Sequence, residues 1–539
     1  MAPTDHRAKA TRYNFAVAFY VALGSFTYGF HSAIIGSVIG MPSFYSYFDF
    51  VATSSYGGSI IGACNGLYAG AGVLGCWAVF WFADKFGRKI AIQIIAAICI
   101  ISAAIQAGSV HIAMFLVGRM LNGFGVGMIN CAIPTYISEI SPAAQRGLVV
   151  GSHGFIICCS YTLMDTYAMA GWAEFGIYYA NNPTIQWRLL VALQIVAPLL
   201  LLIGSPLIPE SPRWLIENGR GQESLEILIR LHKNKLDPDD IGAREEFVQI
   251  QRQLALEHSN KVPGLFKTFT IPSYRKRLFY GFFLQAMCQS MGVLVISNYM
   301  VTTLENLGLS GSTPLLVLAF YNSWAAVLNY INARNLDRFG RVRIVTTAVA
   351  GAILCVCIVT ALVANYGGPT NTNKAGSGAA VAFIFLFVTC YGLGVDVTSY
   401  VYCAEIFPTH MRTRGVGFSV GGLFLMTTVY TTAAGPAFNH IGWRFYLVFI
   451  IVTSLMLPFV ILYFPETKGL SLEEIDVLFG DEVALDLTHL SEEERAAFDK
   501  NITEGLNVTY RDMEKGALLK TESIQVIDGS EEEGSVKKP

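Results

Sequence analysis

The chain has 539 residues, of which 53% are hydrophobic and only 14% charged, where soluble domains carry about a quarter charged residues. A formal net charge of -2 leaves no basic footprint, so nucleic acid is excluded as a partner. The cysteines include Cys64, Cys99, Cys158, Cys159, Cys355 and Cys357, all inside apolar runs without CxxC spacing, which supports neither a disulfide framework nor a zinc site.

Residues 1–14 are polar and lead into an apolar run that is too long for a signal-peptide core, so that run is expected to stay as the first helix. Crossing about 30 Å of hydrocarbon takes about 20 helical residues with every backbone group bonded internally. By that criterion the sequence predicts an all-α membrane protein of twelve spans. Six lie at roughly 15–39, 59–82, 89–109, 112–136, 148–170 and 188–208, and six at roughly 278–301, 313–333, 344–364, 380–403, 415–437 and 444–464. Lys85, Arg88, Lys89, Arg146, Arg334, Arg338, Arg341, Arg343, Arg412 and Arg414 collect at one side, whereas the loop from Met41 to Gly58 has no Lys or Arg. The positive-inside rule makes the charged side cytoplasmic and puts both termini there.

This division gives a cytoplasmic N-terminus (1–14), an N-terminal six-helix bundle (15–208), a charged cytoplasmic linker with short helices (209–277), a C-terminal six-helix bundle (278–464) and a cytoplasmic tail (465–539). EEFVQIQRQLALEH is the clearest amphipathic piece of the linker. Beyond about residue 480 the tail is too polar and acidic to bury a core and is expected to be disordered. The sequons at Asn501 and Asn507 lie on that cytoplasmic tail and are discounted.

Three short signatures occur twice in the same order. ADKFGRK, with Asp84 and Arg88, is matched by LDRFGRVR, with Asp337 and Arg341. The run through Tyr136, Glu139, Pro142 and Arg146 is matched by the run through Tyr402, Glu405, Pro408 and Arg412. IPESPRW, with Glu210, is matched by FPETKG, with Glu466. The chain therefore reads as two copies of one half.

On these motifs the sequence closely resembles the sugar porter family of the major facilitator superfamily over about Phe15 to Ile475, and the style of IFPTHMRTRG resembles fungal members. The resemblance implies two pseudo-symmetric six-helix bundles rocking about a midplane site, with a hexose or related polyol as cargo. It also implies that Asp84, Arg88, Glu139, Arg146 and Glu210, with Asp337, Arg341, Glu405, Arg412 and Glu466, form salt bridges that latch the bundles at the cytoplasmic side; topogenic charge is the plainer reading. Arg119 is an ionisable residue at membrane depth, expected to pair with carboxylates of its own half, and serves equally as anchor or substrate contact.

Gln285 and Gln289 stand one helical turn apart, with Gly292 and Tyr299 continuing their stripe, and paired amides suit a polyhydroxylated ligand. The resemblance matches them to sugar-contacting glutamines. Asn298, Tyr299, His153, Asp396, Tyr400 and Phe424 complete the candidate substrate site, although Cys288, Leu294, Gly154 and Ala325 stand where the family shows amides, and Phe80 where it shows glycine. The family symporter aspartate of helix one is His31 here, so downhill facilitated transport is expected. Asp165, Asp396 and His31 keep proton symport of a sugar, a polyol or a cyclic acid such as quinate open, and a non-transporting nutrient sensor is a further alternative. No nucleophile elbow, phosphate loop or metal cluster is present, so no enzymatic activity, metal or cofactor is expected. The partners expected are a small-molecule sugar or polyol, the bilayer of the plasma membrane and, in the symport reading, protons.

Overall fold

The computed structural model describes residues 12–140 except 52–53, 166–232 except 181, most of 240–254, 269–367, and 373–470 except 409–410 and 469, with isolated positions to 480. Among them the regular structure is helical throughout. In the N-terminal half these are α1 (Arg12–Ile39), α2 (Pro42–Tyr47), α3 (Ser55–Phe86), α4 (Arg88–Ala107), α5 (Ile112–Ile140), α6 (Thr166–Tyr178), α7 (Pro183–Ala192) and α8 (Val196–Gly204). The linker contributes α9 (Pro212–Glu217) and α10 (Gly221–His232). The C-terminal half has α11 (Pro272–Ser290), α12 (Val293–Asn298), α13 (Met300–Asn306), α14 (Thr313–Phe339), α15 (Arg341–Tyr366), α16 (Lys374–Gly394), α17 (Asp396–Ile406), α18 (Arg412–His440) and α19 (Tyr446–Tyr463).

Eleven helical stretches among the described residues are long and apolar enough to cross a membrane. They match eleven of the twelve predicted spans. The other, 148–170, lies outside the described residues except for its last turn, which opens α6. Two spans differ from the single helices expected. The seventh breaks at Gly292, with φ of 82°, into α11, α12 and α13, and the tenth breaks at Val395 into α16 and α17. The stripe expected to run on from Gln289 to Tyr299 therefore stops at Gly292.

Small residues decide which helices touch. A Cβ on Gly62 would lie 2.5 Å from the Thr432 carbonyl, and one on Gly66 would overlap the Thr432 side chain, so the bare face of α3 lies directly on α18 of the other half. Within the N-terminal half, Gly123 and Gly127 of α5 leave no room for a Cβ against the backbone of Tyr68 and Gly72 on α3. Lipid tails are as apolar as leucine, so helices in a bilayer gain from such close van der Waals approach rather than from hydrophobic burial.

At Gly292 the backbone is left-handed and a Cβ would sit 2.7 Å from the Phe449 ring. An L side chain there costs about 1–2 kcal/mol before any clash. Gly292→Ala should therefore lower the thermal unfolding midpoint of the detergent-purified protein, and an unchanged midpoint would show that the break does not need glycine.

Candidate functional site

Each half carries the same charged staple at one end. In the N-terminal half, Arg88 grips Glu139 through Nη2 to Oε1 at 2.9 Å and Nε to Oε2 at 2.9 Å. In the C-terminal half, Arg341 Nη2 donates to Glu405 Oε1 at 2.8 Å and Nε to Oε2 at 3.2 Å. Such fork-on-fork pairs are the strong class of ion pair, and all four side chains are 9% exposed. Beneath each pair the aromatic residue of the motif donates to a proline carbonyl: Tyr136 to Pro209 at 2.6 Å and Tyr402 to Pro465 at 3.2 Å.

Glu210 and Glu466 are not part of these ion pairs. Glu210 Oε1 accepts the backbone amides of Arg88 at 2.9 Å and Lys89 at 3.2 Å, and Glu466 accepts those of Arg341, at 2.7 Å, and Val342, at 3.1 Å. Both glutamates thus cap the orphan amides at a helix N-terminus, where the dipole favours a negative charge. Gly87 and Gly340, with φ of 89° and 92°, make room: a Cβ on either would lie within 2.7 Å of the capping carboxylate. Burial pushes the Glu210 carboxyl above its ordinary range, while the amides of Ser211, Lys89 and Arg88 hold it back.

For Arg88, Glu139, Arg341 and Glu405 the geometry differs from the expected latch between bundles. Both strong pairs close within a half, because Arg and Glu of one repeat unit meet on neighbouring helices of that unit. Between halves at this end stands the 3.6 Å pair of Arg414 with Asp84, whose side chains are 36% and 50% exposed. Arg146 and the Asp337 side chain lie outside the described residues, and Arg412 opens α18.

At mid-depth Gln285, Gln289 and Asn298 are buried. Gln285 Nε2 points to Cys403 Sγ at 3.8 Å, and its Oε1 has no hydrogen-bond partner. Asp396, at the first residue of α17, accepts from Asn329 Nδ2 at 2.8 Å and makes no ion pair among the described residues. The thiol of Cys288 and the hydroxyl of Tyr391 lie within electrostatic reach of this group. Asn130 Nδ2 donates to the Tyr400 hydroxyl at 3.3 Å, tying α5 to α17 across the halves, and Asn298 Nδ2 donates to Asn65 Oδ1 at 3.4 Å, tying α12 to α3. Tyr299 packs at a tilt against Phe438 with its hydroxyl unbonded, and Phe424 fills the contact with Gly72 and Tyr28. His153 and Asp165 lie outside the described residues.

Behind α3, Arg119 is fully buried yet meets no carboxylate among the described residues. Its guanidinium reaches the carbonyls of Cys64 and His31, each at 3.4 Å, and lies over the Tyr68 ring at 4.1 Å; Nη2 has no partner. Among the described residues the groups around it are the Cys64 and His31 carbonyls and the Tyr68 ring rather than the expected carboxylates. His31 Nε2 lies 2.9 Å from the Gln194 carbonyl and Nδ1 2.7 Å from the Asn122 amide nitrogen. One donor and one acceptor suit a neutral imidazole protonated at Nε2.

A family model described as "Sugar (and other) transporter" matches residues 17–479. The chain belongs to that family. Among similar proteins, the MFS-type transporter criB of Aspergillus cristatus is 30% identical over 88% of this chain and 94% of its own length. A high-affinity glucose transporter of Kluyveromyces lactis is 27% identical over 87% and 85%, and a quinate permease of Neurospora africana 29% over 87% and 89%. Among solved structures, the proton:xylose symporter XylE superposes with a TM-score of 0.71 at 22% identity, over 87% of this chain and 99% of that one. The transporter therefore has the major facilitator fold.

Sequence reasoning passed over Glu174, a fully buried acid on α6, because it lies past the predicted end of the fifth span. Its signal was a glutamate inside the apolar run AMAGWAEFGIYY. The staples give a graded prediction for this transporter. Glu405→Ala removes the two-point partner of the buried Arg341, at about 3–5 kcal/mol, and should abolish uptake or surface delivery. Arg414→Ala removes an exposed pair worth about 0–1 kcal/mol and should change uptake less than about fivefold; a larger loss at normal surface expression would restore the inter-bundle latch.

Proposed function

We propose that the protein is a secondary carrier that moves a neutral hexose or related polyol downhill across the plasma membrane by alternating access, with its charged end and both termini in the cytoplasm. The observation that carries the cargo reading is the presence of Gln285, Gln289 and the Asn329-held Asp396 as polar side chains within spanning helices. Amides offer donors and acceptors together, and a carboxylate can accept from neighbouring hydroxyls of one ligand. A negatively charged cargo would find no cation beside Asp396 among the described residues to offset it, and an unpaired charge in a dry site is costly. Arg119 does not offset this, since its guanidinium is spent on the Cys64 and His31 carbonyls and the Tyr68 face. These side chains thus favour a neutral polyol over a cyclic acid such as quinate.

The downhill reading rests on the helix-one position. A symport proton has to load and unload at a group whose charge changes during the cycle. His31 has both ring nitrogens engaged by groups that match its neutral form, and it stands next to the Arg119 cation. Binding a second proton there would break the Asn122 contact and place two cations side by side.

Uptake into cells lacking their own carriers tests the cargo: labelled hexose or polyol should enter and labelled quinate should not. Gln289→Ala should raise the half-saturation concentration by roughly 1–3 kcal/mol of lost pairing, about five- to 150-fold. Saturable quinate entry in the wild type would overturn the neutral-cargo reading. In energised vesicles a non-metabolised sugar should equilibrate without exceeding the outside level; accumulation abolished by a protonophore would overturn the downhill reading.

A further inference from the structure

We propose that Glu174 is a proton-binding switch on the outer gate, which lets external acidity close the carrier without any proton being transported. The residue sits on α6 about one turn from its far end, opposite the charged staples, and is fully buried. Its surroundings come from both halves. A Cβ on Gly40, just past α1, would meet Glu174 Oε1 at 3.2 Å, Val301 of α13 at 3.2 Å and Leu315 of α14 at 3.4 Å. Neither carboxylate oxygen has a hydrogen-bond partner at normal geometry, and the polar group facing it is the Ser37 hydroxyl of α1.

No cation answers this carboxylate among the described residues. Arg188 of α7 donates to the Tyr47 hydroxyl at 2.6 Å and the Ser109 carbonyl at 3.0 Å. His31 of α1 is tied to Asn122 and Gln194, Glu305 of α13 lies on the side of Tyr45, the Tyr321 hydroxyl of α14 is buried without a partner, and the described charges of α14 begin at Arg334 near the opposite end.

The same contacts are gate contacts. Val301 and Leu315 belong to the C-terminal half, while Gly40 and Ser37 belong to the N-terminal half. Cross-half hydrogen bonds flank them on and just past α6, from Trp172 Nε1 to Ser323 Oγ at 3.0 Å and from the Tyr179 hydroxyl to Ser312 Oγ at 3.0 Å. Separating the halves here admits water to Glu174, and closing them strips it away. A bare ionised carboxylate is costly to bury, whereas the neutral acid is not. Closure therefore takes up a proton and opening releases it to the same, outer side. The charged end lies a full helix length away, so this proton never reaches the cytoplasm.

The proposal rests on the transport reading and its orientation but not on the cargo, so the test reads the gate itself. Val301→Cys is labelled in proteoliposomes by a membrane-impermeant thiol reagent from outside, from pH 8 to pH 5 with the internal pH fixed, in wild-type and Glu174→Gln backgrounds. The ratio of the two labelling rates cancels the thiol's own pH dependence. It should fall as the outside is acidified, by at most about tenfold per pH unit for one proton, and Glu174→Asp should restore the fall. An unchanging ratio, or dependence on internal pH alone, overturns the proposal. Should Glu174→Gln fail to reach the membrane, cargo entry by the unmodified protein is measured with an internal pH dye. External acid should slow entry with no cargo-driven proton influx, and influx, or entry indifferent to external pH, overturns it. A protein that moves no sugar yet shows the labelling ratio would fail only the cargo reading.

Discussion

An ionised group inside a slab of hydrocarbon has to be paired, capped or turned towards water, and the placement of charge in this chain follows from that requirement. Arg88 and Arg341 are paired, Glu210 and Glu466 spend their charge on helix N-termini, and Asp84 and Arg414 stay partly wet. Each half repeats the arrangement, so each is closed on itself at the charged end before the halves meet. A half built this way can move as one body, since the bonds that would be costly to break run inside it.

Arg119 is the exception that this requirement makes informative. Carbonyl dipoles and an aromatic face solvate a guanidinium less completely than a carboxylate does, and Nη2 is left over. The charge is kept at a cost although no carboxylate answers it among the described residues. What remains is a rigid, permanently polarised cluster that holds α1, α3, α5 and the turn before α8 together.

Much of the fold was legible because hydropathy and the three repeated signatures act over short stretches: each span announces itself by length, and each staple by FGR, by aromatic-to-glutamate spacing and by PES or PET. What those signatures bind to was not legible. Glu139 and Arg88 are 51 positions apart and Glu405 and Arg341 are 64 apart, so whether they join within or between halves depends on which helices are neighbours. Glycine inside an apolar run is ambiguous as well. Gly292 breaks a span while Gly123 only thins one, and Pro134, Pro436 and Pro458 sit inside unbroken helices. Gln285, Gln289 and Asp396 stood out as polar residues in apolar runs, but that Asn329 holds the aspartate needed the packing of α14 against α17.

The face between α3 and α18 has a mechanical consequence. From Gly58 against Gly435 through Gly62 and Gly66 against Thr432, it is a seam of bare backbone and small side chains. Such a seam is held by dispersion, whose attraction fades within an ångström or so. Prising it open leaves shallow slots that hydrocarbon tails can enter, which makes the lipid a competitor for the same surface. The rate of rocking is then set in part by the bilayer, with stiff, thick or tightly packed membranes resisting the change of shape and fluid ones easing it.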